Sequence, residues 1–370
     1  MIKVGLIGIG RLGLCFALNL ERGGFHVVGV DANADYVRSI QNRTLITNEP
    51  QVKDLLSKSK QLVVSTDLKT VLLPDINVIF ICVPTPSLPD GTFNHEYIDN
   101  ICDELLIQDR PVQNKHLVIN STVMPGYCEA LHERMVKHGY TISYNPEFIA
   151  QGSIIKDQQF PDQVLIGEAN KEVGIKIETI YRSFVQNEPR FSRMTRTEAE
   201  ITKLAVNCFL TTKIAFANSI GDLTIQYGGK HENVLSAIGS DVRIGSNFLR
   251  YGFGYGGPCL PRDNRALGKA ANEVGLELPI SAATDRSNSL HRNFQQESFQ
   301  KQNSKENQIV FTGLSYKPGS DIIEESQRLE LAVDLAHKGY SILLKDRAEV
   351  ICQIQEIHQD LFMYEVLADE

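Results

Sequence analysis

Apolar positions near the N-terminus fall in short blocks rather than in one amphipathic stripe. Residues 2–8 (IKVGLIG) make a β-type run, and a helical pattern follows from residue 12 to about residue 22. A second strand pattern, 26–30 (HVVGV), ends at Asp31. Further strand-like runs lie at 62–65, 78–83, 117–120 and 141–144, with helix-length segments between most of them, and 164–167 (VLIG) closes the series. Strands alternating with helices at this spacing predict βαβ units and a parallel sheet.

The texture changes near Arg196. Residues 197–226 are patterned as one long helix, and Thr197 with Glu200 has the S/T-x-x-E spacing of a capping box. Ile201, Leu204, Ala205, Cys208, Ala215 and Phe216 supply its apolar stripe, while Glu200, Lys203, Asn207 and Asn218 share a polar azimuth. Helical pattern continues to about residue 290, broken by the Gly-rich stretch 251–258 (YGFGYGGP). The polar, Gln-rich residues 293–308 predict an inter-domain connector. A strand resumes at Ile309, followed by a helix from about Ser326 to Lys338 and a strand at 341–346. Beyond it the pattern offers only a short Gln-rich helix, so this last α/β unit reads as abbreviated.

Composition narrows the classes. Apolar residues are 42% and charged residues 22% of the 370, ordinary globular usage that excludes wholesale disorder. The net charge of −8 carries no footprint for nucleic acid or an anionic membrane. No run reaches the roughly 18 apolar residues of a membrane span, and the N-terminus lacks a basic leader. Seven scattered cysteines without a CxxC pair argue for a reducing compartment and against a disulfide framework or a metal site. The expectation is a cytoplasmic protein.

Three constellations carry chemistry. Gly8-Ile9-Gly10-Arg11-Leu12-Gly13 matches G-x-G-x-x-G between a predicted strand and a helix. Asp31 ends the next strand, where a carboxylate bonds a ribose 2′-hydroxyl and repels a 2′-phosphate, so the reading is NAD rather than NADP. The second is the pair Lys203 and Asn207, one helical turn apart and able to stabilise a developing oxyanion. In the third, Cys259 follows the Gly-rich loop at an apparent helix start, which favours a nucleophilic thiolate, with Asp263 one turn on.

With these motifs in order, the chain resembles the UDP-glucose/GDP-mannose dehydrogenase family. The resemblance also rests on Val83-Pro84-Thr85-Pro86 with Asp90-Gly91, on Ser121-Thr122-Val123, on Asn145-Pro146-Glu147-Phe148 and on the run 313–319 (GLSYKPG). It implies an α/β fold of two Rossmann-like doubly wound domains joined by a central helical segment. The expected bounds are 1–195 for NAD binding, 196–292 for the helical dimerisation segment, 293–308 for the connector and 309–370 for nucleotide-sugar binding. It implies that a nucleotide-sugar alcohol is oxidised twice to a carboxylate by NAD, through a thiohemiacetal and a thioester on Cys259. Lys203 and Asn207 would stabilise the oxyanion, Asp263 support Cys259 and Lys203, and Glu147 act as general base with Thr122. Gly8, Gly10, Arg11, Leu12, Gly13, Asp31, Val83, Pro84, Thr85, Ser121 and Thr122 would hold the cofactor. Glu147, Phe148, Ile149, Lys203, Asn207, Asn218, Phe248, Arg250, Tyr251, Gly256 and Lys317 would hold the sugar nucleotide, and Arg243 would enter a partner's site in a homodimer.

Three departures temper the match. Pro258 replaces the family's usual Ser or His, Glu324 stands where its D-x-x-R-E-S pattern has Arg, and the tail lacks the closing strands. The resemblance makes UDP-glucose the leading substrate, with GDP-mannose, toward which the run 259–263 (CLPRD) leans, or a UDP-N-acetylhexosamine as the alternatives. A two-electron hydroxyacid dehydrogenase has no use for Cys259, and a binding protein without turnover has no use for the intact Cys, Lys, Asn and Glu set.

Overall fold

Strands that are covered on both faces carry branched residues at consecutive positions, and the apolar blocks of the first 167 residues are such strands. The computed structural model describes residues 2–107, 115–149 and 152–367. The chain forms two units, one up to Lys203 and one from Leu204 onward.

In the first unit the chain runs β1 (Lys3–Ile7), α1 (Arg11–Arg22), β2 (His26–Val30), α2 (Ala34–Gln41), α3 (Val52–Lys58), β3 (Leu62–Ser65) and β4 (Ile76–Ile81). It continues with α4 (Glu96–Ile107), β5 (Lys115–Ile119), α5 (Tyr127–Met135), β6 (Tyr140–Tyr144), α6 (Ile154–Gln159), β7 (Gln163–Gly167), α7 (Lys171–Arg182) and β8 (Arg190–Met194). The sheet order is β3-β2-β1-β4-β5-β6-β7-β8, parallel except where β7 meets β6. Alternation divides its sides cleanly. Val78 and Phe80 of β4 pack with Leu14, Phe16 and Ile177 on one face, whereas Ile79 and Ile81 pack with Ile98, Leu105 and Leu131 on the other. The strand order reverses between β1 and β4, the switch point where sheets of this type bind ligands.

The long helix α8 (Arg196–Gln226) begins differently from the capping-box expectation. Thr195 and Glu198 form the box, with Thr195 N–H donating to the Glu198 carboxylate at 2.8 Å. Glu200 is fully buried and accepts the Gly126 and Cys128 N–H groups at 2.6 and 2.8 Å. The polar face of α8 is buried together with Leu204, Cys208 and Ala215 of the expected apolar stripe. Glu200, Lys203, Asn207, Thr211 and Asn218 are buried, while Ile201 and Phe216 of the supposed apolar stripe are about half exposed. Polar residues sit inside because each finds a partner there, which periodicity alone does not reveal.

The second unit continues with α9 (His231–Gly239), α10 (Leu260–Glu273) and α11 (Pro279–Gln302). Then come β9 (Ile309–Thr312), α12 (Gln327–His337), β10 (Ile342–Asp346), α13 (Ala348–His358) and β11 (Met363–Val366). Residues 293–302, expected as connector, are the last three turns of α11, with Phe299 stacked on Phe311 of β9. The tail holds more than the single βαβ expected of it. After α13 comes β11, in a parallel sheet of order β11-β10-β9. Met363 and Val366 at this edge are exposed, while Phe362 just before the strand is buried and Tyr364 packs on the core. The core is Phe311, Leu331, Leu335, Leu344, Ile351 and Ile354. No helix among the described residues is long and apolar enough to cross a membrane.

Candidate active site

The glycines after β1 build a cradle. Gly8 has φ of +86°, and a Cβ there would strike the Cys82 carbonyl; a Cβ at Gly13 would strike the carbonyl of Gly8. Around Gly10, by contrast, nothing lies within 4 Å of where a Cβ would be. Gly10 is the N-cap of α1, which has no side-chain cap and no acid in its first turn, so its amides suit a pyrophosphate. A cleft of about 400 Å³ runs from Gly10 and Arg11 past Asp31 and Tyr36 to Glu49. Asp31 is fixed at its mouth by accepting the Asn33 N–H at 2.9 Å. Leu12 packs instead against the core of its unit. This close approach beside an acid fits NAD.

At the ends of β4 and β5, the Ser121 hydroxyl accepts the Val83 N–H at 2.9 Å and donates to its carbonyl at 2.7 Å. Thr85 donates to the Thr122 carbonyl at 2.6 Å. Pro84 is exposed and Thr122 half-buried. Beyond β6, Lys203 donates to the backbone carbonyl of Glu147 at 2.8 Å, and its ammonium lies 4.6 Å from the Phe148 ring centre. Ile149 packs toward the core. The Glu147 carboxylate accepts the Tyr181 hydroxyl at 2.9 Å. Burial raises the Glu147 pKa above its ordinary value, against hydrogen bonds from Tyr181 and Asn120 and the charge of Lys203.

In the second unit Cys259 is exposed at the N-cap of α10, with Pro261 in the first turn. Its carbonyl accepts the Asp263 N–H at 2.9 Å, which starts the helix. The Asp263 carboxylate is buried and accepts Asn207 Nδ2 at 2.6 Å and Arg262 Nε at 3.4 Å. Tyr316 stands close to Cys259; its hydroxyl is pushed up to about 12 by burial first and by the charge of Cys259 second. Lys317 lies 5.7 Å from the Tyr316 ring centre. Two glycines are sterically required here, since a Cβ at Gly256 would strike the Glu325 carbonyl and one at Gly257 the Tyr316 ring.

The remaining sequence candidates are spread around this loop. Asn218 uses its amide on the Gly252 N–H and the Phe253 carbonyl. Tyr251 donates to Asp222 at 2.8 Å. Phe248, at φ +61°, and Arg250 are exposed. Arg243 is exposed and paired with Asp241 at 2.6 Å. Glu324 is exposed, its carbonyl accepting the Gly257 N–H at 3.0 Å, while Ser326 caps α12. The neighbouring Glu325, not Glu324, takes the Arg265 guanidinium through two bonds of 2.8 and 2.9 Å. Sequence reasoning missed Tyr181 and Asp222, which belong to no local motif and are defined by their partners across the fold, and Tyr316, which lies in the run 313–319 beside Lys317.

Sheet order, switch point and glycine cradle together define a dinucleotide-binding α/β protein. Residues 2–185 match the NAD binding domain of the UDP-glucose/GDP-mannose dehydrogenase family, and residues 197–290 match its central domain. The chain is 33% identical over 361 residues to a GDP-mannose 6-dehydrogenase of Pseudomonas aeruginosa, covering 94% of this chain and 81% of that protein. It is 30% identical over 359 residues to a UDP-glucose 6-dehydrogenase of the same organism, covering 93% and 79%. Its fold is similar to that of a UDP-glucose dehydrogenase from the archaeon Pyrobaculum islandicum, with a TM-score of 0.89 and 27% identity over 100% of this chain and 86% of that one. The chain belongs to the UDP-glucose/GDP-mannose dehydrogenase family, whose members are NAD-binding nucleotide-sugar 6-dehydrogenases.

Proposed function

We propose that this protein oxidises the C6 alcohol of a nucleotide sugar to the carboxylate in two steps held together by Cys259. The observation that carries this reading is the exposed Cys259 thiol at the start of a 14-residue helix, beside a buried Asp263 that Asn207 holds. A helix N-terminus favours the thiolate, the form that attacks a carbonyl. NAD, when bound, supplies the hydride acceptor for each two-electron oxidation.

The chain's own groups do the rest. Lys203 and Asn207, one turn apart on α8, stabilise negative charge on the C6 oxygen. The Cys259 sulfur adds to the aldehyde, and the carbonyl oxygen takes a proton to give a thiohemiacetal. Loss of a hydride from C6 and of the proton from its hydroxyl then leaves a thioester. Glu147, working with Thr122, takes a proton from water; the hydroxyl attacks the thioester carbon, the C–S bond breaks and the thiolate leaves. Gly10, the α1 amides and Asp31 hold the cofactor, joined by the loops Val83–Thr85 and Ser121–Thr122. Phe148, Ile149, Phe248, Arg250, Tyr251, Gly256 and Lys317 hold the sugar nucleotide, and Asn218 shapes the loop beneath it.

UDP-glucose is the favoured substrate, supported by the likeness to the archaeal UDP-glucose dehydrogenase over the whole chain. GDP-mannose is the second reading, supported by the 33% identical relative and by the run 259–263. The functional unit is a homodimer, supported by the exposed row Phe209, Phe216 and Leu223 at seven-residue spacing on α8. Arg243, exposed beyond α9, then serves the partner's site. The reactive thiol suits the reducing cytoplasm. A panel of nucleotide sugars with NADH formation as readout tests the reading; NADH from none of them would contradict it.

A further inference from the structure

The Gly-rich loop between Tyr251 and Cys259 has little side-chain bulk to hold its shape, and two helices hold it instead. On α11, Asp285, Asn288, His291 and Gln295 recur at three- and four-residue spacing, which places them on one face. Asp285 takes the Tyr255 hydroxyl. Asn288 accepts the Tyr255 N–H and donates to its carbonyl, both at 3.0 Å. The Gly252 carbonyl lies 2.7 Å from His291 Nε2 and accepts Gln295 Nε2 at 3.0 Å. From α8, Asn218 accepts the Gly252 N–H at 3.0 Å.

His291 is only 2% exposed, and its ring meets an acceptor at each nitrogen. Nδ1 lies 2.8 and 3.0 Å from the two Asp222 carboxylate oxygens, one of which also accepts the Tyr251 hydroxyl. A carboxylate on one ring nitrogen fixes the ring plane and aims the other N–H. We infer that His291, oriented by Asp222, is a positioning residue that fixes Gly252 and thereby the shape in which the Tyr251–Cys259 loop receives the nucleotide sugar. The inference rests on the role proposed above for that loop and for Cys259.

Steady-state kinetics of the full-length protein with UDP-glucose and, in parallel, GDP-mannose test it. His291→Ala raises the KM for whichever sugar is oxidised by about tenfold and leaves the KM for NAD within about twofold. His291→Gln, which keeps a donor for the Gly252 carbonyl, regains most of the loss. Asp222→Asn gives a smaller change in the same direction. A lowered melting temperature with both KM values unchanged, or equal increases in both, would overturn the inference. A second readout needs no turnover: alkylation of Cys259 by iodoacetamide, located by peptide mass spectrometry, is severalfold altered in His291→Ala and restored in His291→Gln. Equal alkylation rates in all three proteins would also overturn it. Should the unmodified protein oxidise neither sugar, the proposed function fails, and the alkylation rates still decide the role of His291.

Discussion

Asn207 Nδ2 donates to Asp263 Oδ2 across 2.6 Å, joining the long helix α8 to the helix that Cys259 begins. Asp263 is 1% exposed, so this bond supports a buried carboxylate one turn from Cys259. The amide that the sequence marks as an oxyanion donor is also a structural donor.

Removing it therefore affects folding as well as turnover. Asn207→Ala leaves Asp263 short of a buried partner and costs about 1–3 kcal/mol, read as a lower midpoint in urea or thermal unfolding. Asn207→Asp faces Asp263 with a second carboxylate, and its loss is larger at pH 8 than at pH 5, where a shared proton relieves the repulsion. Equal losses at both pH values would count against this geometry.

Cofactor choice follows from Asp31. Its carboxylate at the mouth of the Gly10 cleft repels a 2′-phosphate, so kcat/KM for NAD exceeds that for NADP. Asp31→Ala narrows the gap, mainly by weakening NAD. The check is initial rates with both cofactors, and parity in the unmodified protein would oppose the assignment.

Much of this site is legible in the sequence because its parts are local. The strand, the glycine turn and Asp31 lie within 31 residues, and Gly8 and Gly13 each have a steric reason to be there. The inner face of α8 is less legible. Lys203, Asn207 and Asn218 resemble a solvated stripe until the Glu147 carbonyl, Asp263 and Gly252 supply their partners. The same holds for α11. Asn288, His291 and Gln295 belong to a polar stretch whose end reads as connector, because loop backbone rather than apolar side chains covers that face. The run 361–367 (LFMYEVL) does carry a hydrophobic trace of β11, but it is short and lies beyond the helix at which the pattern reads as ending.

Glu147 sets a pH dependence. Burial lifts its pKa, so the carboxylate proposed as base fills only above the ordinary glutamate range near about 4.3. Turnover therefore rises with pH along an acid limb displaced upward. Tyr181→Phe removes a hydrogen bond that opposes the lift, and moves the limb to still higher pH. Glu147→Gln abolishes the limb and slows turnover by roughly 10²-fold or more. The stability term has the same origin. A carboxyl with a raised folded pKa favours the folded state below its unfolded pKa, and loses that contribution as pH rises through the folded value. A pH–rate profile from 4 to 9 for the three proteins checks both the sign and the order.

Cys259 holds the substrate between two oxidations in this account, so the central claim is a count of electrons. The measurement is NADH formed per nucleotide sugar consumed, with limiting UDP-glucose or GDP-mannose and excess NAD, and with an aldehyde trap present. The account predicts two NADH for each sugar and no trapped aldehyde, while Cys259→Ser loses most of its turnover because a hydroxyl is the weaker nucleophile. One NADH per sugar, or full turnover without the thiol, would contradict it.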